Sequence, residues 1–95
     1  MKIISNSALR QFSELHPQAL GPMQAWRRVV EKNQFPNWMA LKQSFNSVDK
    51  VGELAVFDIG GNKYRLVAYV RFERQILYIK AVLTHSQYDK GAWKP

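Results

Sequence analysis

The densest cluster of reactive side chains lies near the C-terminus, in the segment LTHSQYDKGAW at residues 83–93. His85, Tyr88, Asp89 and Lys90 bring an imidazole, a phenol, a carboxylate and an ammonium group together within six residues. A histidine gains and loses its proton near neutral pH, so His85 is suited to general acid–base catalysis. The segment therefore predicts proton-transfer chemistry, with Asp89 placed to orient His85 or to cap the turn that presents it.

Other interpretations of this segment remain open. Ser86 and Asp89 have the spacing of a capping box, in which they only start a short helix. His85 and Asp89 are four residues apart and can ligate a metal on a helix, but the sequence shows no evident third or fourth ligand. A Ser–His–Asp hydrolase is disfavoured, because no nucleophile elbow precedes Ser86. Gly60 and Gly61 indicate a hairpin turn rather than a phosphate-binding loop, since no GKS/T and no helix follow them.

A second candidate set follows two expected strands. Arg65, Tyr69 and Arg71 share one phase of the alternation, and Tyr78 and Lys80 share one phase in the next strand. If the register aligns them, the open face of the sheet carries cations interleaved with aromatic rings. Single-stranded nucleic acid needs that combination, cations for phosphates and rings for bases. The alternative is an ordinary solvated face, on which Arg and Tyr are common cross-strand neighbours.

The first half of the chain predicts the helices that support these residues. Lys2–Ile4 is short and β-branched, which is typical of an edge strand. Capping residues and an apolar stripe predict a helix over residues 5–15, which the His16-Pro17 pair ends. A second stripe predicts a helix over residues 17–33, and residues 34–50 are expected to be irregular. The aromatic and apolar residues expected to pack from that irregular segment onto the core are Trp38, Leu41 and Phe45.

The second half predicts a three-stranded antiparallel meander over residues 54–59, 64–72 and 75–85, with turns at residues 60–62 and 73–74. In the last strand one face is expected to carry Leu77, Ile79, Ala81 and Leu83, and the other Tyr78, Lys80, Val82 and Thr84. The expected fold class is α+β, with N-terminal helices packed on one face of a small antiparallel β-sheet. We expect a single domain over residues 1–95.

Composition restricts the partners. The chain has 95 residues and no cysteine, which excludes disulfides and thiolate metal sites. Fourteen Lys and Arg against seven Asp and Glu give a net charge of +7. This charge indicates a polyanion such as nucleic acid or an acidic protein partner, with solubility alone as the remaining interpretation. No apolar run reaches the ~18 residues of a membrane span and no signal peptide is apparent, so we expect a soluble, cytoplasmic protein.

The segment VFDIGGNKYRLVAYVRFERQILYIKAVLTHSQYDKGAW, residues 56–93, closely resembles the HigB-type toxins of type II toxin–antitoxin modules. The residues that match in its first part are Gly60, Gly61, Asn62, Arg65 and Ala68. The residues that match in its second part are Thr84, His85, Tyr88 and Asp89. A weaker match, through I-S-x-x-A-L-x-x-F and the region of Trp26, extends the resemblance over nearly the whole chain.

The resemblance implies a RelE-like fold whose concave sheet binds RNA, and a ribosome-dependent mRNA endonuclease (mRNA interferase) that cuts codons in the ribosomal A site. It also implies metal-independent cleavage without a cofactor, in which the 2′-hydroxyl of the RNA is the nucleophile. For that chemistry we expect Arg65 to stabilise the phosphate and His85 to act as general base or acid. Tyr88 is expected to be a catalytic proton donor, or alternatively a ring that stacks under the base. The residues expected to bind RNA are Lys63, Tyr69, Arg71, Tyr78, Lys80 and Lys90.

The resemblance further implies a partner, a HigA-type helix-turn-helix antitoxin whose complex with the toxin binds operator DNA. Two other functions stay open. One is a non-catalytic RNA- or ribosome-binding protein that inhibits translation by occupancy. The other is a subunit that mainly forms a repressing complex. The endonuclease predicts new RNA ends, and the inhibitor predicts translation arrest without new ends. The repressing subunit predicts operator binding that depends on the partner, without arrest.

Overall fold

The computed structural model describes residues 1–91, 93 and 94; of the expected domain 1–95, Ala92 and Pro95 lie outside the described residues. Four helices and five strands follow one another along the chain. They are β1 (Lys2–Ile4), α1 (Asn6–Leu15), α2 (Leu20–Lys32), α3 (Trp38–Ser44), β2 (Asp49–Val51), β3 (Leu54–Ile59), β4 (Tyr64–Arg71), β5 (Ile76–Thr84) and α4 (His85–Asp89). Single 3₁₀ turns at Pro17–Ala19 and Phe72–Arg74 connect α1 to α2 and β4 to β5.

The two long helices lie on one face of the sheet. The helix expected over residues 5–15 is confirmed as α1, and His16 ends it with a non-helical backbone. The helix expected over residues 17–33 is divided, because a 3₁₀ turn comes first and α2 begins at Leu20. Met23, Trp26 and Val30 of α2 are buried, and the Trp26 ring meets that of Phe57 edge-on at 5.3 Å. Such burial of aromatic area is what holds the helices on the sheet.

Residues 34–50 are only partly irregular: residues 34–37 and 45–48 lie outside helices and strands as expected, but two short elements were not expected. Trp38–Ser44 forms α3, whose N-cap Asn37 accepts a hydrogen bond from the Ala40 backbone N–H at 2.9 Å. Asp49–Val51 forms β2, which pairs with β3 through a two-residue turn that starts at Gly52, with φ +61°. Elements of seven and three residues are too short to show a clear periodicity in the sequence. Their inward side chains do pack as expected, with Leu41 fully buried and Trp38 and Phe45 against the core.

The sheet is mixed rather than purely antiparallel, although the α+β class is confirmed. Its strand order is β1-β5-β4-β3-β2, so the expected meander forms its centre. β1 occupies an edge, as its composition indicates, but pairs parallel with β5, from Lys2 opposite Ile76 to Ile4 opposite Tyr78. The pairing is possible because three helices and three strands separate β1 from β5 along the chain, which leaves enough connection for a parallel neighbour.

A β-bulge in β5 changes which side chains share a face. Val67 pairs with Ala81 whereas Ala68 pairs with Ile79, so Lys80 is the extra residue. The expectation that Ala81 and Leu83 lie with Leu77 and Ile79 is therefore wrong, and so is its counterpart for Val82 and Thr84. After the bulge, Val82 packs on the helix side, whereas Ala81 and Leu83 pack on the opposite face. Simple alternation fails here because one inserted residue inverts every later side chain.

The face opposite the helices is partly covered. A second, smaller apolar cluster lies there, made of Leu54, Val56, Val67 and Trp93. Trp93 is 7% exposed and belongs to the segment that follows α4. The C-terminal segment thus returns over the middle of this face, which we call the open face, and divides it into two ends.

Candidate active site

Arg65 is the centre of a polar cluster at the end of the open face next to the β3–β4 turn. The residue is only 8% exposed. Its Nε lies 2.8 Å from Asp58 Oδ1, and Nη1 donates to the backbone carbonyls of Asn62 at 3.1 Å and Tyr64 at 3.2 Å. Nη2 donates to the side-chain oxygen of Asn62. Four of the five guanidinium N–H groups are thus directed at protein acceptors, which leaves one N–H on Nη2 for a ligand.

The β3–β4 hairpin places these groups by its register. Asp58 lies directly opposite Arg65, and the turn between them carries positive φ at Gly60, Gly61 and Asn62. A Cβ on Gly60 would lie 3.0 Å from the Tyr64 ring, so glycine is required there for space as well as for its backbone. Asp58 is not among the site residues expected from the sequence. Counting outward from the turn would have paired it with Arg65.

Tyr88 lies over the Arg65 guanidinium, whose Cζ is 5.3 Å from the ring centroid. The ring also stacks on Trp93 at 4.8 Å and an interplanar angle of 13°, while Trp93 Nε1 donates to the Tyr88 carbonyl at 2.8 Å. Burial, followed by the negative charge of Asp49, raises the pKa of the Tyr88 phenol above its usual 10.0, against the opposing effect of Arg65. The phenol is therefore protonated at neutral pH and is placed to donate a proton.

His85 begins α4, and two contacts fix it. Its backbone N–H donates to the Lys63 carbonyl at 3.0 Å, which ties α4 to the β3–β4 turn. Its Nδ1 lies 2.9 Å from Asp89 Oδ2, with the side chains of His85 and Asp89 45% and 60% exposed. This pair agrees with the expectation that Asp89 orients the imidazole, because it leaves Nε2 directed away from Asp89.

The helix cap itself is not the one expected from Ser86 and Asp89. Thr84 is the N-cap of α4, and its Oγ1 accepts from the Gln87 backbone N–H at 3.2 Å. Gln87 Oε1 in turn accepts from the Thr84 backbone N–H at 2.9 Å, which completes a capping box two residues earlier than expected. The sequence allowed both boxes, since Thr84 and Gln87 have the same spacing. The earlier cap puts His85 in the first helical position.

The structure thus brings the three expected catalytic residues to one end of the open face. Arg65 and Tyr88 are in contact, and His85 lies one helical turn before Tyr88 on α4. Lys63 is exposed in the adjoining turn and Lys90 is exposed directly after α4, so both cations border the same end. We call Arg65, His85 and Tyr88, with their partners Asp58, Asn62 and Asp89, the turn cluster.

The remaining expected RNA-binding residues lie at the other end of the open face. Tyr69 and Tyr78 are directly opposite in the β4–β5 register, and Lys80 Nζ lies 5.8 Å from the centroid of the Tyr69 ring. Arg71 is two residues further along β4, with Glu73 at 3.9 Å. The shared face expected for these residues and Arg65 is confirmed. The polar residues are not continuous along that face, since the apolar cluster that includes Val67 and Trp93 separates its two ends. Tyr69 is about 13 Å along the strand from Arg65.

Across residues 1–91, 93 and 94, no three His, Asp or Glu side chains are grouped in a way that could hold a metal ion. In the same residues, no helix has the length and apolar character needed to cross a membrane.

Comparison with known proteins gives one family and several relatives. A family model described as HigB_toxin, the RelE-like toxic component of a toxin–antitoxin system, matches residues 19–91. The mRNA interferase toxin HigB of Escherichia coli K12 is 38% identical over 92 residues, which cover 94% of this chain and 88% of that protein. The mRNA interferase HigB of Shigella flexneri matches to the same extent. The mRNA interferase HigB of Escherichia coli O6:H1 is 26% identical over 93 residues, covering 95% of this chain and 90% of that protein.

Proposed function

This chain belongs to the HigB family of RelE-like toxins, the toxic components of toxin–antitoxin systems, and on that premise we propose that it is a ribosome-dependent mRNA endonuclease. Its relatives carry the name mRNA interferase. The observation that supports a catalytic role most directly is the turn cluster. In it, a protonated phenol, an imidazole paired with a carboxylate and a guanidinium occupy one end of a basic domain.

The proposed reaction uses the 2′-hydroxyl of the RNA as the nucleophile, without a metal or cofactor. His85 takes the proton of that hydroxyl on Nε2 while Asp89, at 2.9 Å from Nδ1, stabilises the imidazolium that forms. Attack on the adjacent phosphorus gives a cyclic phosphate, and the bond to the 5′-oxygen breaks. Tyr88 donates its phenolic proton to that leaving oxygen. Tyr88 holds its proton at neutral pH, and its contact with the Arg65 guanidinium places it beside the proposed phosphate position.

Arg65 is the proposed cation for the phosphate. Its charge is partly balanced by Asp58, and one Nη2 N–H remains for a phosphate oxygen. Electrostatic stabilisation by a fixed, buried donor costs no reorganisation during the reaction. We propose that Lys63 and Lys90 attract the RNA backbone beside the cluster. The other proposed RNA contacts are Tyr69, Arg71, Tyr78 and Lys80.

As the toxic component of its system, the chain has an antitoxin partner. We propose that this partner is a HigA-type helix-turn-helix protein and that the complex of the two binds operator DNA. The net charge of +7 favours an acidic antitoxin surface as well as RNA.

The proposal is tested by mapping mRNA 5′ ends in a bacterial translation extract with and without ribosomes. Wild type should produce new ends within translated codons only when ribosomes are present. His85→Gln and Tyr88→Phe should each reduce cleavage by about 10²–10⁴-fold. His16→Gln is the matched control, since His16 is the other of two histidines and packs near Phe12 and Tyr64 on the helix side of the sheet.

Translation arrest with intact mRNA would contradict the endonuclease and favour an inhibitor that acts by occupancy. Arg65→Ala should also abolish cleavage. The free energy of unfolding of this variant must be measured as well, because Arg65 forms hydrogen bonds within the hairpin that carries it. Loss of cleavage indicates a catalytic role only if the variant remains folded.

A further inference from the structure

A groove of about 560 Å³ crosses the end of the sheet that lies away from the turn cluster. The β2–β3 turn, the last residues of β4, the turn at Phe72–Arg74 and the start of β5 enclose it. The side chains that line it include Lys50, Glu53, Tyr69, Arg71, Arg74 and Tyr78. Its volume is within the range of small-ligand sites and is sufficient for a nucleoside.

The groove combines rings with cations. Tyr69 and Tyr78 are 38% and 37% exposed, so each presents part of a ring to solvent. The ammonium of Lys80 lies over the Tyr69 ring, and three further cations line the groove. Aromatic rings that stack on bases next to cations that contact phosphates are the components of a site for single-stranded nucleic acid.

The groove is separate from the turn cluster. About 13 Å of β4 lies between Arg65 and Tyr69. The middle of the open face is apolar at Val56 and Val67, and Trp93 covers it. An RNA strand that contacts both ends must therefore pass over this apolar part without cationic contacts.

We propose that this groove is a second RNA subsite, which takes a base of the same strand several nucleotides away from the bond cleaved at the turn cluster. The inference rests on the proposed function, since it assumes an RNA substrate. Two linked contacts bind more tightly than either alone once the linker spans them, because the second contact becomes intramolecular. The affinity for RNA should therefore rise stepwise at the length that reaches both ends.

Glu53 gives the subsite a preference among bases. Within residues 1–91, 93 and 94 its carboxylate forms no ion pair, whereas Glu73 pairs with Arg71. A carboxylate accepts hydrogen bonds from the exocyclic amines of cytosine, adenine and guanine. Uracil has no such amine, so the groove should disfavour it.

The test measures the affinity of the purified protein for 2′-O-methyl oligonucleotides by fluorescence anisotropy. These RNAs lack the nucleophile and stay intact, so the result does not depend on cleavage. A series of oligocytidylates from about three to about ten nucleotides should show the step in wild type. Tyr69→Ala with Tyr78→Ala should remove the step and weaken the longer RNAs by about five-fold or more, the effect of one lost stacking contact.

Two variants serve as controls. The double variant Tyr69→Phe with Tyr78→Phe keeps both rings and should keep the step. Arg10→Ala removes one charge on the helix side and should leave the step unchanged. Glu53→Gln should reduce the preference of the longer RNAs for cytosine over uracil.

A smooth length dependence in wild type, or equal affinities for wild type and the double alanine variant, would overturn the subsite and leave the groove to a protein partner. Ribosome-dependent cleavage that needs His85 would still stand in that case. The failure of one proposal is thus distinguished from the failure of the other.

Discussion

At the scale of single residues, Arg65 has two roles in the structure, and the sequence motif alone does not distinguish them. Its guanidinium closes the β3–β4 hairpin through Asp58 and Asn62, and the same group supports the ring of Tyr88. A buried charge needs such partners, because removing one leaves the other uncompensated in a region of low dielectric constant. The residue proposed to contact the phosphate is thus also part of the structure that positions the acid.

Asp58→Asn tests the structural function. We expect the free energy of unfolding, measured by urea denaturation, to fall by about 1–3 kcal/mol, because Arg65 loses its charged partner while 8% exposed. The control is Glu31→Gln, which breaks the exposed i,i+4 pair with Arg27 and should cost no more than about 0.5 kcal/mol. Equal losses of unfolding free energy in the two variants would show that the Asp58–Arg65 pair stabilises the fold no more than an exposed ion pair does.

Tyr88 makes a prediction at alkaline pH. Its raised folded-state pKa means that the unfolded chain releases the phenolic proton first, at about its usual 10.0. The contribution to stability is therefore complete below that pH and is lost as pH rises through the higher folded value. Ultraviolet titration should show a tyrosine component above the usual value that Tyr88→Phe removes, and unfolding of that variant should depend less on pH above about 10. An unchanged titration curve in Tyr88→Phe would contradict the assignment.

At the scale of elements, the features that carry long periodic patterns were predictable. The stripe of α1 and the alternation of β4 indicate the helix and strand that the structure contains. The bulge at Lys80 was not predictable, because one unpaired residue leaves no compositional trace and yet inverts the faces of residues 81–84. The short elements α3 and β2 depend on tertiary packing more than on their own sequence.

The N-cap of α4 is Thr84 in the structure, whereas the sequence also allowed a capping box that starts at Ser86. Thr84→Ala should lower the free energy of unfolding by about 1 kcal/mol, because Thr84 Oγ1 accepts from the Gln87 N–H at 3.2 Å. It should also reduce cleavage, since His85 is the next residue. Ser86→Ala removes the hydroxyl of the alternative box and should change both quantities little. Denaturation and cleavage measured on the two variants decide between the caps, and a larger loss in Ser86→Ala would contradict the structure.

At the scale of the whole molecule, the open face has two chemically different ends. The motif residues 60–65 and 84–89 predicted the turn cluster, because both segments carry the family pattern. The separation of Tyr69 and Tyr78 from that cluster required the fold, since it depends on Trp93 returning over Val56 and Val67. The turn cluster, with the groups proposed to transfer protons, thus lies at one end of the open face, and the exposed rings of Tyr69 and Tyr78 lie at the other.

The most direct test of the central claim is cleavage of a ribosome-bound mRNA that carries a single 2′-deoxynucleotide at the mapped cut. In the proposed mechanism the turn cluster activates the 2′-hydroxyl, so wild type should leave that bond intact while it cuts the all-ribose message there. The ribose message should yield a cyclic phosphate on one fragment and a 5′-hydroxyl on the other. Cleavage at the deoxynucleotide, or a 5′-phosphate on the product, would contradict the account.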